Sequence, residues 1–262
     1  MLPYLKIIKM SIQNSLQFRD HYIINLFSTV GIIPTMLIWR IILKDGSVGG
    51  YGSDAMLTYI TLSMALQLFL NTSVGSDICD SIRNGSLSGF LIQPLKYLIR
   101  QFSIFIGLLF GESLPKCLIH LFMVIILVNI MDVTMAFQAG SFVLFLLLLI
   151  EGAVISFLIN LSIGLLGFWL SEISTFFMLI GAVTGILSGN MIPLDILPWG
   201  LNRLLIHTPF AFMSFYPVKA GMGQTDFPLF ILIEGMIWIA VLLFIATSIW
   251  NKGLRKYSAP GG

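Results

Sequence analysis

Charge is what this sequence has least of. Only 10% of its 262 residues are Asp, Glu, Lys or Arg, 57% are hydrophobic, and mean hydropathy is +0.97. That leaves too little polar surface to coat a soluble globule, so the composition is that of an integral membrane protein. Cysteine is scarce: Cys79 falls in an expected cytoplasmic loop and Cys117 in an apolar run, so no disulfide between them is expected. There is no Gly-x-x-x-x-Gly-Lys-[Ser/Thr] loop and no Gly-Lys dipeptide, so the chain is not expected to hydrolyse ATP itself. His21, His120 and His207 lie far apart without His-x-x-x-His or Cys-x-x-Cys spacing, which gives a metal site no support. A Gly-x-Ser-x-Gly elbow is also missing, and an intramembrane enzyme would need a nucleophile or metal constellation not visible here. The net charge of +2 is small, and its basic residues sit at membrane flanks, so nucleic acid is not implied.

What is present is a series of long apolar runs. Spans of about 20 residues follow from the thickness of the hydrocarbon core. The polar breaks divide the runs into six: Tyr22–Ile42, Ala55–Ser76, Gln101–Asn129, Ser141–Leu170, Ile173–Asn190 and Pro228–Trp250. The third and fourth are about 30 residues long and must tilt or extend past the core. The expected fold is therefore an all-α integral membrane domain covering residues 1–262. With the N-terminus inside, nine Lys and Arg fall on cytoplasmic segments and four on external ones, with Lys116 left at membrane depth. Positive charge stays inside, so both termini are expected to be cytoplasmic. No cleavage site for a signal peptide follows the first run, so that span should be retained.

Residues 1–20 place Leu5, Ile8, Ile12 and Leu16 at helical spacing opposite Lys6, Lys9, Gln13 and Asn14. This reads as an interfacial helix offering its lysines to lipid phosphates, with a frayed lead-in to the first span as the plainer alternative. In the loop over 77–98, Asn84-Gly85 signals a turn and Ser86 is a candidate cap for a short helix. Leu87, Phe90 and Leu91 would share one face of that helix, and Pro94 would end it. An apolar face flanked by Arg83 suits docking into a partner's groove, while a connector lying on lipid is the other reading. Before the last run, four of the ten prolines crowd into residues 189–221: Pro193, Pro198, Pro209 and Pro217. Proline this dense forbids a continuous span, yet the content is too apolar for a solvated loop, so a re-entrant hairpin is expected. Asp195, Trp199, Asn202, Arg203 and His207 lie within it and need partners if buried. At membrane depth lie Glu112, Lys116, His120, Glu151 and, in the sixth run, Glu234; the four pathway candidates among them are Glu112, Lys116 and His120, which recur at i, i+4, i+8 on one helical face, and Glu151, alone in the fourth run. Each charge at mid-bilayer costs about 2.5–3.5 kcal/mol on insertion scales, so these four are either an internal structural set or the lining of a polar pathway.

The pattern Ile82-x-x-Gly85-x-Leu87-x-x-x-Leu91-x-x-Pro94 after the second apolar run resembles that of membrane subunits of the ABC type-2 permease family. Within it, the chain is similar to compact exporter permeases of bacterial drug, antimicrobial-peptide and daunorubicin-resistance-like systems. The resemblance covers nearly the whole layout. It implies two permease subunits, identical or not, and two cytoplasmic ATPases carrying ATP and Mg, which contact the N-terminal helix and the loop helix. It further implies export of lipid-like or amphipathic cargo, and a hairpin that closes the outer end. A proton-coupled transporter or channel using Glu112, His120 and Glu151 as relays is the rival class.

Overall fold

Apolar runs placed in lipid have no water to satisfy their amides, so they close their own hydrogen bonds as helices. The computed structural model describes residues 2–17, 30–44, 46–170 and 174–257. Its helices are α1 (Leu2–Gln17), α2 (Ile32–Ile42), α3 (Ser53–Leu70), α4 (Val74–Arg83), α5 (Leu87–Leu91), α6 (Tyr97–Leu108), α7 (Leu114–Met131), α8 (Phe142–Leu165), α9 (Ser174–Leu187), α10 (Leu201–Leu205), α11 (Phe215–Gly221) and α12 (Pro228–Lys256). Among the described residues there is no strand, only an isolated bridge between Val48 and Tyr51.

Among the described residues, four stretches are long and apolar enough to cross a bilayer: Ser53–Arg83, Tyr97–Met131, Ala139–Phe168 and Pro228–Lys256. The other two expected spans correspond to shorter apolar helices, Ile32–Ile42 and Phe176–Leu187. Residues 22–29 of the expected first span lie outside the described residues, as do Arg19, His21 and the chain's last five residues. The described part of α9, 14 residues, reaches about 21 Å.

The second span departs from expectation. The stretch Ser53–Arg83 covers it but is not one continuous helix: α3 stops at Leu70, Asn71 turns extended (ψ 108°), and α4 starts at Val74. Polar Asn71, Thr72 and Ser73 offer the backbone local alternatives, and Ser73 Oγ donates to Asp77 Oδ2 at 2.9 Å. The segment over 77–98, expected to be cytoplasmic, therefore begins inside a helix. The third span is interrupted as well, by a π-helical turn at Leu109–Ser113 between α6 and α7.

Helix α8 is the centre of the bundle. It is apolar all round and buried over most of its length, packing against α12, α4, α11 and the short turn Pro209–Met213. Small residues permit the closest approaches. A Cβ at Gly75 would lie 2.8 Å from the Asn160 carbonyl oxygen, and one at Gly152 would strike the Phe212 carbonyl oxygen.

Helix α1 packs along α6. Ser11 Oγ donates to the Ile104 carbonyl at 3.3 Å, and a Cβ at Gly111 would lie 2.9 Å from Ile12 Cα. Gly107 and Gly111 thus present a small-x-x-x-small stripe to Ser11 and Ser15. The half-buried face of α1 is Tyr4, Ile7, Ile8, Ser11, Ile12 and Ser15, so Ile8 and Ile12 of the expected apolar stripe pack inward while Leu5 and Leu16 are exposed. Lys6 and Lys9 are exposed.

Candidate functional site

A cavity of roughly 530 Å³ opens where α3 breaks. One wall is the π-helical turn and the start of α7, carrying Glu112 and Lys116, whose Nζ and Oε1 lie 2.6 Å apart. The i, i+4 spacing delivers this pair, and each ion neutralises the other where water is scarce. The facing wall is α9, with Phe177, Ile180 and Thr184, and Asn160 of α8 lies between them. Ser188, Asn190, Met213 and Ser214 close one end, so the underside of the hairpin is part of the lining. Thr72 Oγ1 and Ser214 Oγ are buried without a hydrogen-bond partner among the described residues.

The four pathway candidates expected at membrane depth do not act as one set. Glu112 and Lys116 line the cavity; His120 and Glu151 do not. His120 is buried between α7 and α3, its Nε2 3.3 Å from the Thr61 carbonyl oxygen. Glu151 is buried beside Gly235 of α12 and Phe212, and its Oε2 makes no hydrogen bond among the described residues.

The hairpin over 189–221 is a chain of short helical turns, as its prolines require: Pro193 precedes one at Leu194–Ile196, and Pro209 opens one at Pro209–Met213. Its underside is tied to the spans. Tyr59 Oη donates to the Gly189 carbonyl at 2.6 Å, Asn190 Nδ2 to the Ser63 carbonyl at 2.7 Å, and Phe215 N to the Ser188 carbonyl at 3.0 Å. Its polar residues find partners across large sequence distances. Lys219 Nζ donates to Asp195 Oδ2, Tyr51 Oη and Gln224 Oε1, each at 3.0 Å, and Tyr51 Oη donates to Asp195 Oδ2 at 2.9 Å. Burial, reinforced by the Asp195 charge, raises the Tyr51 phenol well above its ordinary value, so it stays a donor. His207 Nδ1 lies 3.0 Å from Glu234 Oε1 on α12, and Trp238 Nε1 donates to the His207 carbonyl at 3.1 Å. Asn202 only accepts locally, from Arg203 N at 2.8 Å, and Trp199, next to Pro198, projects with 94% of its surface exposed.

At the opposite end, Gly85 takes φ +79°, and Ser86 N donates to Asn84 Oδ1 at 3.0 Å. The expected Ser86 cap is corrected here: its side chain makes no cap bond, because Asn84 forms the turn instead. The expected docking face is corrected too. Leu87 is wholly buried in the chain's own core, Phe90 lies 4.0 Å beneath the Arg100 guanidinium, and only Leu91 of that face is exposed. Ile92, beyond the helix, is 86% exposed, and Arg83 and Pro94 are exposed beside it. The loop is anchored by aromatic packing. Tyr97 stacks on Trp250 of α12 (4.7 Å, 4°), Phe168 lies 6.0 Å from Trp250, and Tyr257 Oη donates to the Gly85 carbonyl at 3.1 Å.

These features, an all-helical apolar bundle with a charged intramembrane cavity and a proline-rich cap, agree with the comparison against known families. Residues 30–261 match the family described as ABC-2 family transporter protein. The chain belongs to that family. None of the curated proteins compared with it matches. It is thus a membrane permease component of an ABC transporter, a class that associates with ABC ATPase subunits and is generally non-catalytic. Helix α1 lies outside the matched residues.

Several residues of the site escaped the sequence reading. Asn160 and Ser156, spaced i, i+4 in an apolar run, carried a legible signal. Tyr51 and Lys219 carried none, since 168 positions separate them.

Proposed function

We propose that this permease is the membrane half of an ATP-driven exporter that moves a lipid-like, amphipathic drug or peptide out of a bacterial cell. The observation that carries this reading is the cavity. It combines an apolar wall with hydrogen-bonding groups and a neutralised ion pair, and its outer end is closed by the hairpin. Six spans cross the plasma membrane, with both termini cytoplasmic, as the nine-to-four partition of Lys and Arg supports. A second permease subunit, identical or homologous, completes the membrane unit. Two partner ATPases bind ATP and Mg and contact the inner surface formed by Lys6, Lys9, Arg83, the Asn84–Ser86 turn, Leu91, Ile92 and Pro94.

ATP binding draws the ATPases together and pushes on α5. Phe90 and Tyr97 carry the displacement to Trp250 on α12 and Phe168 at the end of α8, so the spans move as a packed unit. The hairpin is the outer gate. Its Asp195–Lys219–Tyr51 cluster is part-buried, with Asp195 about a third exposed, so water can take over the bonds to Asp195 as they break.

The test is uptake of a fluorescent amphiphile into inverted vesicles bearing the permease and its ATPase. Uptake should require ATP, vanish when the ATPase's phosphate-loop lysine is changed, and survive a protonophore. Glu151, whose Oε2 is buried without a partner among the described residues, favours the proton-coupled alternative, which predicts the reverse pattern. Orientation is checked separately: of Ser47→Cys and Ser258→Cys, only the first should label from outside.

A further inference from the structure

We infer that the cavity beneath the hairpin selects uncharged amphiphiles rich in hydroxyls or amides, and discriminates against lipophilic cations and anions. The inference rests on the reading of that cavity as the cargo site. Among the described residues lining it, the charged ones are Glu112 and Lys116, and they are bonded to each other at 2.6 Å. The described lining therefore carries no net charge to compensate an ionic ligand, and an ion leaving water for such a site loses its hydration without gaining a counter-charge. Drawing either partner toward a ligand ion would strand the other, so the closed pair resists both signs.

Hydrogen bonding is offered instead. Thr72 Oγ1 and Ser214 Oγ have no partner among the described residues. Asn160 and Asn190 spend an Nδ2 donor on the carbonyls of Ser156 and Ser63, at 2.9 and 2.7 Å. Their Oδ1 acceptors thus remain for ligand hydroxyl or amide hydrogens. Buried polar groups of this kind favour a ligand able to pair with them over one that cannot. Phe177, Ile180 and Met213 supply the surface for its apolar part. The volume of roughly 530 Å³ suits one drug-sized molecule.

The test uses the full chain in lipid nanodiscs and three photoactivatable probes that share one diazirine-bearing dodecyl chain. Their heads are a glucoside, a trimethylammonium and a sulfate. Crosslinking to peptides containing Phe177 or Met213, read by mass spectrometry against probe concentration, should place the glucoside tighter than either ion by about tenfold. Lys116→Met, which leaves Glu112 uncompensated, should shift preference toward trimethylammonium, and Glu112→Gln should shift it toward sulfate. If either charge variant fails to fold, Asn160→Leu keeps the pair and should weaken the glucoside alone. Tighter labelling of the wild type by either ion overturns the inference and leaves the cargo site standing. If no probe labels these peptides while ATP-driven export persists, the cargo-site reading falls and the inference with it.

Discussion

The two ends of the permease are held together by different physics. At the hairpin end, the ties are polar and come from remote parts of the chain: Asp195 to Lys219 and Tyr51, and His207 to Glu234. At the loop end they are aromatic: Tyr97 stacked on Trp250, with Phe168 and Tyr257 around them. Asp195 and His207 keep part of their surface in water, so water can replace their bonds as they break, which would let that end open and close. Stacked rings offer no such exchange and lose contact area when parted, so that end transmits displacement as a block. The difference suits a gate at one end and a lever at the other.

The sharpest way to break this comparison is to take mobility from the hairpin. Ser188 and Ser214 both line the cavity and flank the bond from Phe215 N to the Ser188 carbonyl. Joined as Ser188→Cys with Ser214→Cys, they should abolish export while the ATPase still assembles, and a reductant should restore it. Full export with the crosslink verified in place would make the hairpin a static cap.

Next in size is the lever. Trp250→Ala removes the ring on which Tyr97 stacks and should destabilise the permease by about 2–3 kcal/mol, less than a soluble core would lose because the residue is only half-buried. Thermal unfolding in nanodiscs measures that loss. ATPase activity should persist without transport, and tight coupling in this variant would show that the cluster transmits nothing.

A smaller effect is expected from Asp195→Asn, which leaves Lys219 without its counter-ion. Asp195 is about a third exposed, so screening holds the loss to about 1 kcal/mol or less. External thiol reagents should reach a cysteine introduced at Ser188 faster in this background, and raised salt should mimic the change in the parent. No gain in accessibility would deny the cluster a gating role.

The smallest effect concerns α1. Lys6→Gln with Lys9→Gln should leave folding unchanged, because α1 docks on α6 through Ser11 and Ser15 against Gly107 and Gly111, not through charge. ATPase retention, read by co-purification, should fall modestly. Unchanged retention would confine these lysines to lipid phosphates.

How far the sequence could be read follows from the range over which each signal acts. The Glu112–Lys116 pair was legible because helical geometry places i and i+4 together whatever the surroundings. The Asn84-Gly85 turn was legible because few residues other than glycine accept φ +79°. Leu87 was misplaced because a short amphipathic helix has one apolar face and the pattern cannot say what covers it; here the chain's own core does. The break at Asn71–Ser73 was missed because three polar residues in a mostly apolar run weigh little in any hydropathy window. For the α1 stripe of Leu5, Ile8, Ile12 and Leu16, hydrophobicity placed Ile8 and Ile12 correctly, but against Gly107 and Gly111 close approach favours Ser11 and Ser15 beside them, and the two leucines turn outward.

By itself the sequence determined the solvent, the helical class and the proline-broken segment before the last run, since apolar run length and proline chemistry are local and additive. Only the tertiary structure decided which polar residues meet. It brought Tyr51 to Asp195 and Lys219, separated Glu151 from Glu112, and enclosed a cavity between the broken α3, α8 and α9. Those outcomes depend on how whole helices pack, and packing is a property of shape and small-residue contact that no local pattern encodes.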